Sequence, residues 1–357
     1  VVCYSVFASE MPDFFPTPQR AEWNGLTAAA KSFRIAADGS VPTAVVEEYR
    51  SRLTGWGFIE KDGGVVFELE RPPFAECERI APAGMEPRSY LEIPALQAYF
   101  MKISDGGKAS VRACGEDGFF YALMTFGSLW KDAEAGVGIE IHKTSIEDYP
   151  LFPIRVVFEG GYGVWDVEGR LKMFDWMGKV KLNSFLYGPK GDPKIRRRWR
   201  ELYDDVELFN FKRMIDSCRR NHIQFGYTIA PTLGMEYGSD TEFEVLLKKV
   251  RQLQGLGVKT FVIAFDDTLG MLYSERDRAR FRNLAEAEAF LANRLEKALK
   301  EFDAESLLVF VPEIYGGVHD MDYTRTLVEK LSPGILIGWT GPQVGAPRLE
   351  ASDVQDF

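Results

Sequence analysis

The ten residues from Val258 to Asp267, VKTFVIAFDD, constrain the fold more than any other stretch of the chain. Six near-continuous apolar residues suit a strand buried on both faces of a parallel sheet, so the polar residues after them are expected at the rim of that sheet. The run ends in a pair of carboxylates, Asp266 and Asp267. Paired carboxylates at a strand's C-terminal end are where α/β barrels keep their acid–base chemistry. The plainer alternative is that Asp266 caps the next turn and Asp267 is solvated.

The surrounding pattern favours the first reading. After Asp148-Tyr149-Pro150-Leu151-Phe152-Pro153, strand-like runs recur at 155–163, 181–190, 222–232, 258–267, 307–315 and 335–342, with helical segments between them. The clearest helix is expected over Asp240 to Leu256, with Phe243, Leu246, Leu247, Val250 and Leu253 on one face and Ser239 with Glu242 as its capping box. Strand–helix alternation with right-handed crossovers predicts a parallel sheet of the (β/α)8 TIM-barrel class. Six steps are visible, so the barrel is expected to be truncated and the chain to be a fragment. Residues 1–150 read differently: short alternating segments at Tyr90 to Ile103 and Lys108 to Cys114, then a helix over Gly118 to Trp130, predict a small α+β domain. The boundary is placed at 150, with a barrel domain over 151–357.

Composition narrows the partners. The chain of 357 residues is 46% hydrophobic and 13% aromatic, enough to fill cores rather than remain disordered. A formal charge of -10 disfavours nucleic acid and anionic membranes and leaves neutral or polar small molecules as easier partners. The basic run Arg196, Arg197, Arg198 and Arg200 around Trp199 is expected on a solvated face. Cys3, Cys77, Cys114 and Cys218 have no paired metal spacing and are too sparse for a disulfide scaffold. His142, His222 and His319 are too scattered for a metal site, and no G-x-S-x-G elbow, Walker loop or H-E-x-x-H occurs, so neither metal nor cofactor is expected. No stretch reaches the ~18 apolar residues of a membrane span. Val6-Phe7-Ala8 has the small-residue spacing of a signal-peptide cleavage site, which would suit a secreted or periplasmic bacterial protein, but a short first strand accounts for it equally.

At the strand ends the sequence resembles the family 84 glycoside hydrolases, O-GlcNAcases and related β-N-acetylglucosaminidases, over roughly residues 155–345. The resemblance is carried by Glu159-Gly160-Gly161-Tyr162-Gly163 after the first strand, Tyr187-Gly188-Pro189-Lys190-Gly191-Asp192 after the second and Phe265-Asp266-Asp267 after the fourth. Pro312 and Tyr315 follow the fifth strand, and Trp339-Thr340-Gly341-Pro342 the sixth. Phe15-Pro16-Thr17-Pro18-Gln19, Gly118-Phe119-Phe120-Tyr121 and Asp148-Tyr149-Pro150 are similar to the noncatalytic domain that precedes such barrels.

The resemblance implies retaining hydrolysis of terminal β-GlcNAc in a glycan or glycoprotein, with the substrate's own 2-acetamido oxygen as nucleophile and an oxazoline intermediate. Such chemistry requires one ionised carboxylate for the acetamide N–H and one carboxylic acid for the leaving oxygen. By family position these are Asp266 and Asp267, Asp267 serving later as general base. Gly160 matches a backbone position that meets a sugar hydroxyl, Lys190 a hydroxyl donor, and Tyr315 a hydroxyl near the leaving oxygen or acetamide. Thr340 and Val344 match the acetamide-methyl pocket, and Tyr162 is a further substrate-binding candidate. Against these stand ordinary roles: a tight turn at Gly160, a solvated Lys190, packing at Tyr162, Tyr315 and Val344. Gly161, Gly188 and Gly191 replace the family's usual Phe, Ala and Asp, so these loops are expected to be looser or shaped for another aglycone. The family's seventh-strand Asn, Asp and Trp are absent from this sequence. Two other readings remain: a noncatalytic carbohydrate-binding or scaffold protein on a degenerate barrel, and a family 20-like hexosaminidase, which would carry Asp-Glu in place of Asp-Asp.

Overall fold

A computed structural model describes residues 15–81, 93–134, 136–163, 165–266, 270–317 and 321–355. Asp267, His319, Cys3 and the Val6-Phe7-Ala8 segment lie outside the described residues. The chain divides into two compact units, one running to Arg155 and including Trp176–Leu182, the other made of Val156–Asp175 and the chain from Asn183 onward.

The first unit is built on seven strands: β1 (Arg20–Ala37), β2 (Ile59–Glu60), β3 (Gly64–Glu70), β4 (Tyr99–Ile103), β5 (Lys108–Ala113), β6 (Trp130–Asp132) and β7 (Ile139–Asp148). They form one mixed sheet in the order β2-β1-β3-β5-β4-β7-β6. The long β1 also pairs with β7: its first half runs antiparallel to β7 and its second half parallel to β3, with the register shifting between Ala30 and Phe33. Helices α1 (Thr43–Gly55) and α4 (Glu116–Gly127) bury apolar faces on this sheet; α2 (Phe74–Ile80) and α3 (Pro94–Gln97) are short. Tyr49 of α1 donates 2.8 Å to the Phe119 carbonyl, and the Phe67 ring meets Tyr49 and Phe126 edge-on at 5.6 and 4.9 Å. A disulfide joins Cys77 to Cys114 across 37 residues, within a buried cluster with Ala95 and Ala98. Asp148, at the start of the segment where the sequence changes character, is buried: it accepts hydrogen bonds from Lys181 Nζ at 2.7 Å and Tyr99 Oη at 3.0 Å.

The second unit holds β8 (Val156–Glu159), β9 (Ser184–Tyr187), β10 (Gln224–Ile229), β11 (Thr260–Ala264), β12 (Leu307–Val311) and β13 (Leu336–Ile337). All five pairings are parallel and the strands lie in chain order, a curled sheet forming part of a barrel wall. Each of the six runs expected from sequence contains one of these strands, shortened because its polar ends form the connecting loops. Between the strands lie α5 (Val167–Lys179), α6 (Asp205–Arg220), α7 (Asp240–Gln254), α8 (Glu275–Arg280) with α9 (Leu284–Phe302), and α10 (Met321–Lys330); α11 (Ala351–Gln355) comes after β13. In α7, Ser239 Oγ accepts the Glu242 N–H at 3.3 Å, one half of the expected capping box; the other half does not form, since the Ser239 N–H bonds the Glu236 carbonyl and the Glu242 carboxylate pairs with Arg200. Lys249 departs from the expected helical pattern: it is fully buried among the apolar residues, its amine donates to the Glu201 carbonyl, and burial pulls its pKa down to about 8.

Three of the helix-to-strand turns repeat one device. At Leu182, Ile223 and Val258 the backbone N–H bonds the carbonyl five residues back, of Met177, Cys218 and Leu253, and the preceding residue is in the left-handed region: Lys181 (φ 59), His222 (φ 53) and Gly257 (φ 92). This closure satisfies the last helical carbonyls and reverses the chain into the next strand. Among the described residues no helix is long and apolar enough to cross a membrane.

Candidate active site

Each parallel strand of the second unit ends at the border of one cavity of about 650 Å³. Of the residues nominated from sequence, Gly160, Tyr162, Lys190, Asp266, Tyr315 and Thr340 line it together. Val344 does not line it and is 65% exposed; it packs beside the Tyr315 turn, where a Cβ on Gly316 would stand 3.2 Å from Val344 Cγ2 and 2.9 Å from Thr340 Oγ1.

Asp266 reaches the rim because Phe265 extends the register of β11 by one residue. The Phe265 N–H donates 2.9 Å to the Val311 carbonyl, and its buried ring packs against Phe310 at 5.2 Å. The loops after β8 and β9 are laced together: Gly188 N–H bonds the Glu159 carbonyl at 3.1 Å, and Lys190 N–H bonds that of Gly161 at 3.0 Å. This sets the Lys190 ammonium 4.9 Å from the centroid of the Tyr162 ring, whose outer face is exposed. The loops after β12 and β13 are joined likewise, Thr340 donating both its N–H (2.8 Å) and its hydroxyl (3.0 Å) to the Tyr315 carbonyl.

Beneath these loops the support is buried and ionic. Glu159 takes two hydrogen bonds of 2.8 Å from Arg170. Asp192 accepts from Tyr203 Oη at 2.7 Å, Tyr187 Oη at 3.2 Å and the Lys194 N–H at 2.8 Å. Burial pushes the Tyr187, Tyr203 and Tyr227 hydroxyls well above their ordinary values, so all three stay neutral donors. The Tyr315 turn is backed by Tyr323, which accepts the Glu313 N–H at 2.9 Å and donates to the buried Glu288 carboxyl.

Several lining residues were not nominated from sequence. Arg196 and Arg197, expected on a solvated face, border the cavity, and Arg196 Nη2 stands 3.2 Å from Asp266 Oδ1. Arg196 lies six residues beyond Lys190 in the same loop, the one signal available in the sequence. Thr228 on β10 also lines the cavity; its Oγ1 is buried and without a hydrogen-bond partner among the described residues. Gly188, expected to loosen its loop, does the opposite: a Cβ there would lie 2.7 Å from the Phe158 ring and 2.8 Å from Thr228 Oγ1, so the absent side chain is what lets these elements close up.

Comparison with known proteins finds relatives of one kind. Protein O-GlcNAcase from Rattus norvegicus and its counterpart from Mus musculus are each 32% identical to this chain over 207 residues. That match takes in 56% of the chain, which spans only 22% of the length of these curated relatives. A solved Thermobaculum terrenum O-GlcNAc hydrolase, an Asp-to-Asn mutant, is 33% identical over 57% of this chain and 44% of its own, with a TM-score of 0.56. The structure of CpGH84B shares the fold across 97% of this chain and 59% of its own, with a TM-score of 0.75 at 24% identity. Residues 155–357, the portion that carries the parallel strands and the cavity, match the β-N-acetylglucosaminidase family (NAGidase), and the chain therefore belongs to that family, the family 84 glycoside hydrolases.

Proposed function

We propose that this chain carries the active site of a retaining β-N-acetylglucosaminidase that removes terminal β-GlcNAc from a glycan or glycoprotein by substrate-assisted catalysis. The observation that carries the reading is the convergence of Asp266, Lys190, Tyr162 and Tyr315 from separate strand ends on one cavity of about 650 Å³, in a chain of this family. In this reading the acetamide oxygen attacks the anomeric carbon as its bond to the leaving oxygen breaks. Asp266 accepts the acetamide N–H, and Asp267 gives its proton to the leaving oxygen. Asp267, now a carboxylate, then takes a proton from water as that water opens the oxazoline at the same carbon, which restores both groups.

Lys190 and the Gly160 backbone bind sugar hydroxyls, Tyr315 directs its hydroxyl to the leaving oxygen or acetamide, Tyr162 flanks the sugar, and Thr340, without the exposed Val344, bounds the acetamide methyl. The six parallel strands are then six of the eight in a (β/α)8 barrel, with residues 151–357 catalytic and 1–150 noncatalytic. No metal or cofactor enters this chemistry.

The test is a pair of aryl glycosides that differ only at C2. Aryl β-GlcNAc is expected to turn over and aryl β-glucoside to be inert, because the nucleophile belongs to the substrate. Asp267→Asn is expected to spare activated aryl leaving groups most, since they need least protonation. Comparable rates on the two sugars would refute the mechanism. Binding of β-GlcNAc without turnover would favour the carbohydrate-binding reading.

A further inference from the structure

Four arginines lie in the loop after β9, and their surroundings separate them. Arg198 is exposed, 3.5 Å from Glu201, and Arg200 is paired with Glu242 on the flank of α7. Arg196 alone meets Asp266, and both side chains are largely buried, 23% and 19% exposed. Its backbone is well anchored: Ile195 is buried and its carbonyl accepts the Ala230 N–H at 2.9 Å, and Trp199 is fully buried.

We propose that Arg196 is a positioning residue for Asp266, holding Oδ1 so that Oδ2 is presented to the substrate's acetamide N–H. The inference rests on the catalytic role proposed above for Asp266. A carboxylate turns about a broad, roughly two-fold torsion unless something pins it. Among the described residues the Arg196 hydrogen bond is the one side-chain bond Asp266 makes. Cyclisation of the acetamide needs the N–H acceptor held within a fraction of an ångström, the regime in which ~1 Å of misplacement costs about 100-fold in rate. The guanidinium's charge works the other way: a cation beside Asp266 weakens its attraction for the positive charge that develops on the oxazoline. The contribution of Arg196 is therefore geometric, made through a planar N–H donor that a lysine reproduces only in part.

The experiment compares the full chain with Arg196→Met, Arg196→Lys, Asp266→Asn and the Arg196→Met/Asp266→Asn double variant, using aryl β-GlcNAc substrates with activated and unactivated leaving groups. Arg196→Met is expected to lower kcat about 10- to 100-fold with both leaving groups and leave KM within about threefold. Arg196→Lys is expected to recover part of the loss. In the Asp266→Asn background the further loss is expected to stay under about threefold, because the residue through which Arg196 acts is already disabled. An unchanged kcat in Arg196→Met, or the same fold-loss in both backgrounds, would overturn the proposal. Urea unfolding of wild type, the Arg196→Met and Asp266→Asn singles and their double reads the pair without turnover: non-additive changes support the pairing, and strictly additive ones overturn it. A wild-type chain inert on every 2-acetamido glycoside would instead overturn the proposed function, with the Arg196–Asp266 coupling still decided by unfolding.

Discussion

Arg170 holds Glu159 through two parallel hydrogen bonds of 2.8 Å, with the two side chains only 8% and 3% exposed. Glu159 ends β8 and Arg170 lies in α5, so the fork ties the strand before the Gly160–Gly163 turn to the helix after it. The guanidinium also stands 5.1 Å from the centroid of the Tyr187 ring on β9.

Breaking this pair from one side leaves an uncompensated buried charge. Arg170→Met is therefore expected to cost about 3–5 kcal/mol, and replacing both partners by apolar residues of similar volume to cost much less. Urea unfolding of the two singles and the double decides the matter. If the double variant were as unstable as the sum of the singles, the charges would not be acting as a pair.

Gly188 is expected to tolerate no side chain with Phe158 and Thr228 where they are. Gly188→Ala puts a methyl within 2.7 Å of one and 2.8 Å of the other, an overpacking that costs about 1–3 kcal/mol. Because all three residues line the cavity, a loss of ligand binding should accompany the loss of stability. Thermal unfolding at wild-type temperature would show instead that the loop has slack.

Glu288 makes stability depend on pH in a defined direction. Burial pushes its carboxyl well above the ordinary 4.5, the nearby Glu313 adds to the rise, and the Tyr323 hydroxyl opposes it. A carboxyl raised in the folded state contributes its full stability below the unfolded value and loses it as pH climbs toward the folded value. Wild-type stability should therefore fall relative to Glu288→Gln as pH rises above 4.5, by up to about 1.4 kcal/mol per pH unit while one proton separates the folded and unfolded states. Unfolding free energies of the two proteins at several pH values from about 4.5 to about 7.5 test this, and parallel curves would exclude the protonated Glu288.

The strand–helix alternation after Pro153 was legible because buried parallel strands are short apolar runs and their helices carry a 3.6-residue period, both local properties of a chain. Asp266 at a strand end was legible for the same reason: Phe265 is apolar and the residue after it is not. The burial of Lys249 was not legible, since a lysine on the apolar face of α7 is tolerated only where a tertiary partner, the Glu201 carbonyl, receives its amine.

By itself the sequence determined the six strand-bearing runs after Pro153, the residues at their ends and the family to which those ends belong, but not the long β1 or the helix α1 of the first unit. Only the tertiary structure decided that Cys77 meets Cys114 across 37 residues, that Asp148 is buried under Lys181, and that Arg196 turns inward to Asp266 while Arg198 and Arg200 remain outside. The physical reason is that periodicity and turn chemistry act between neighbours in the chain. Pairing of charges and thiols acts between neighbours in space, and those neighbours exist only once the sheet has formed.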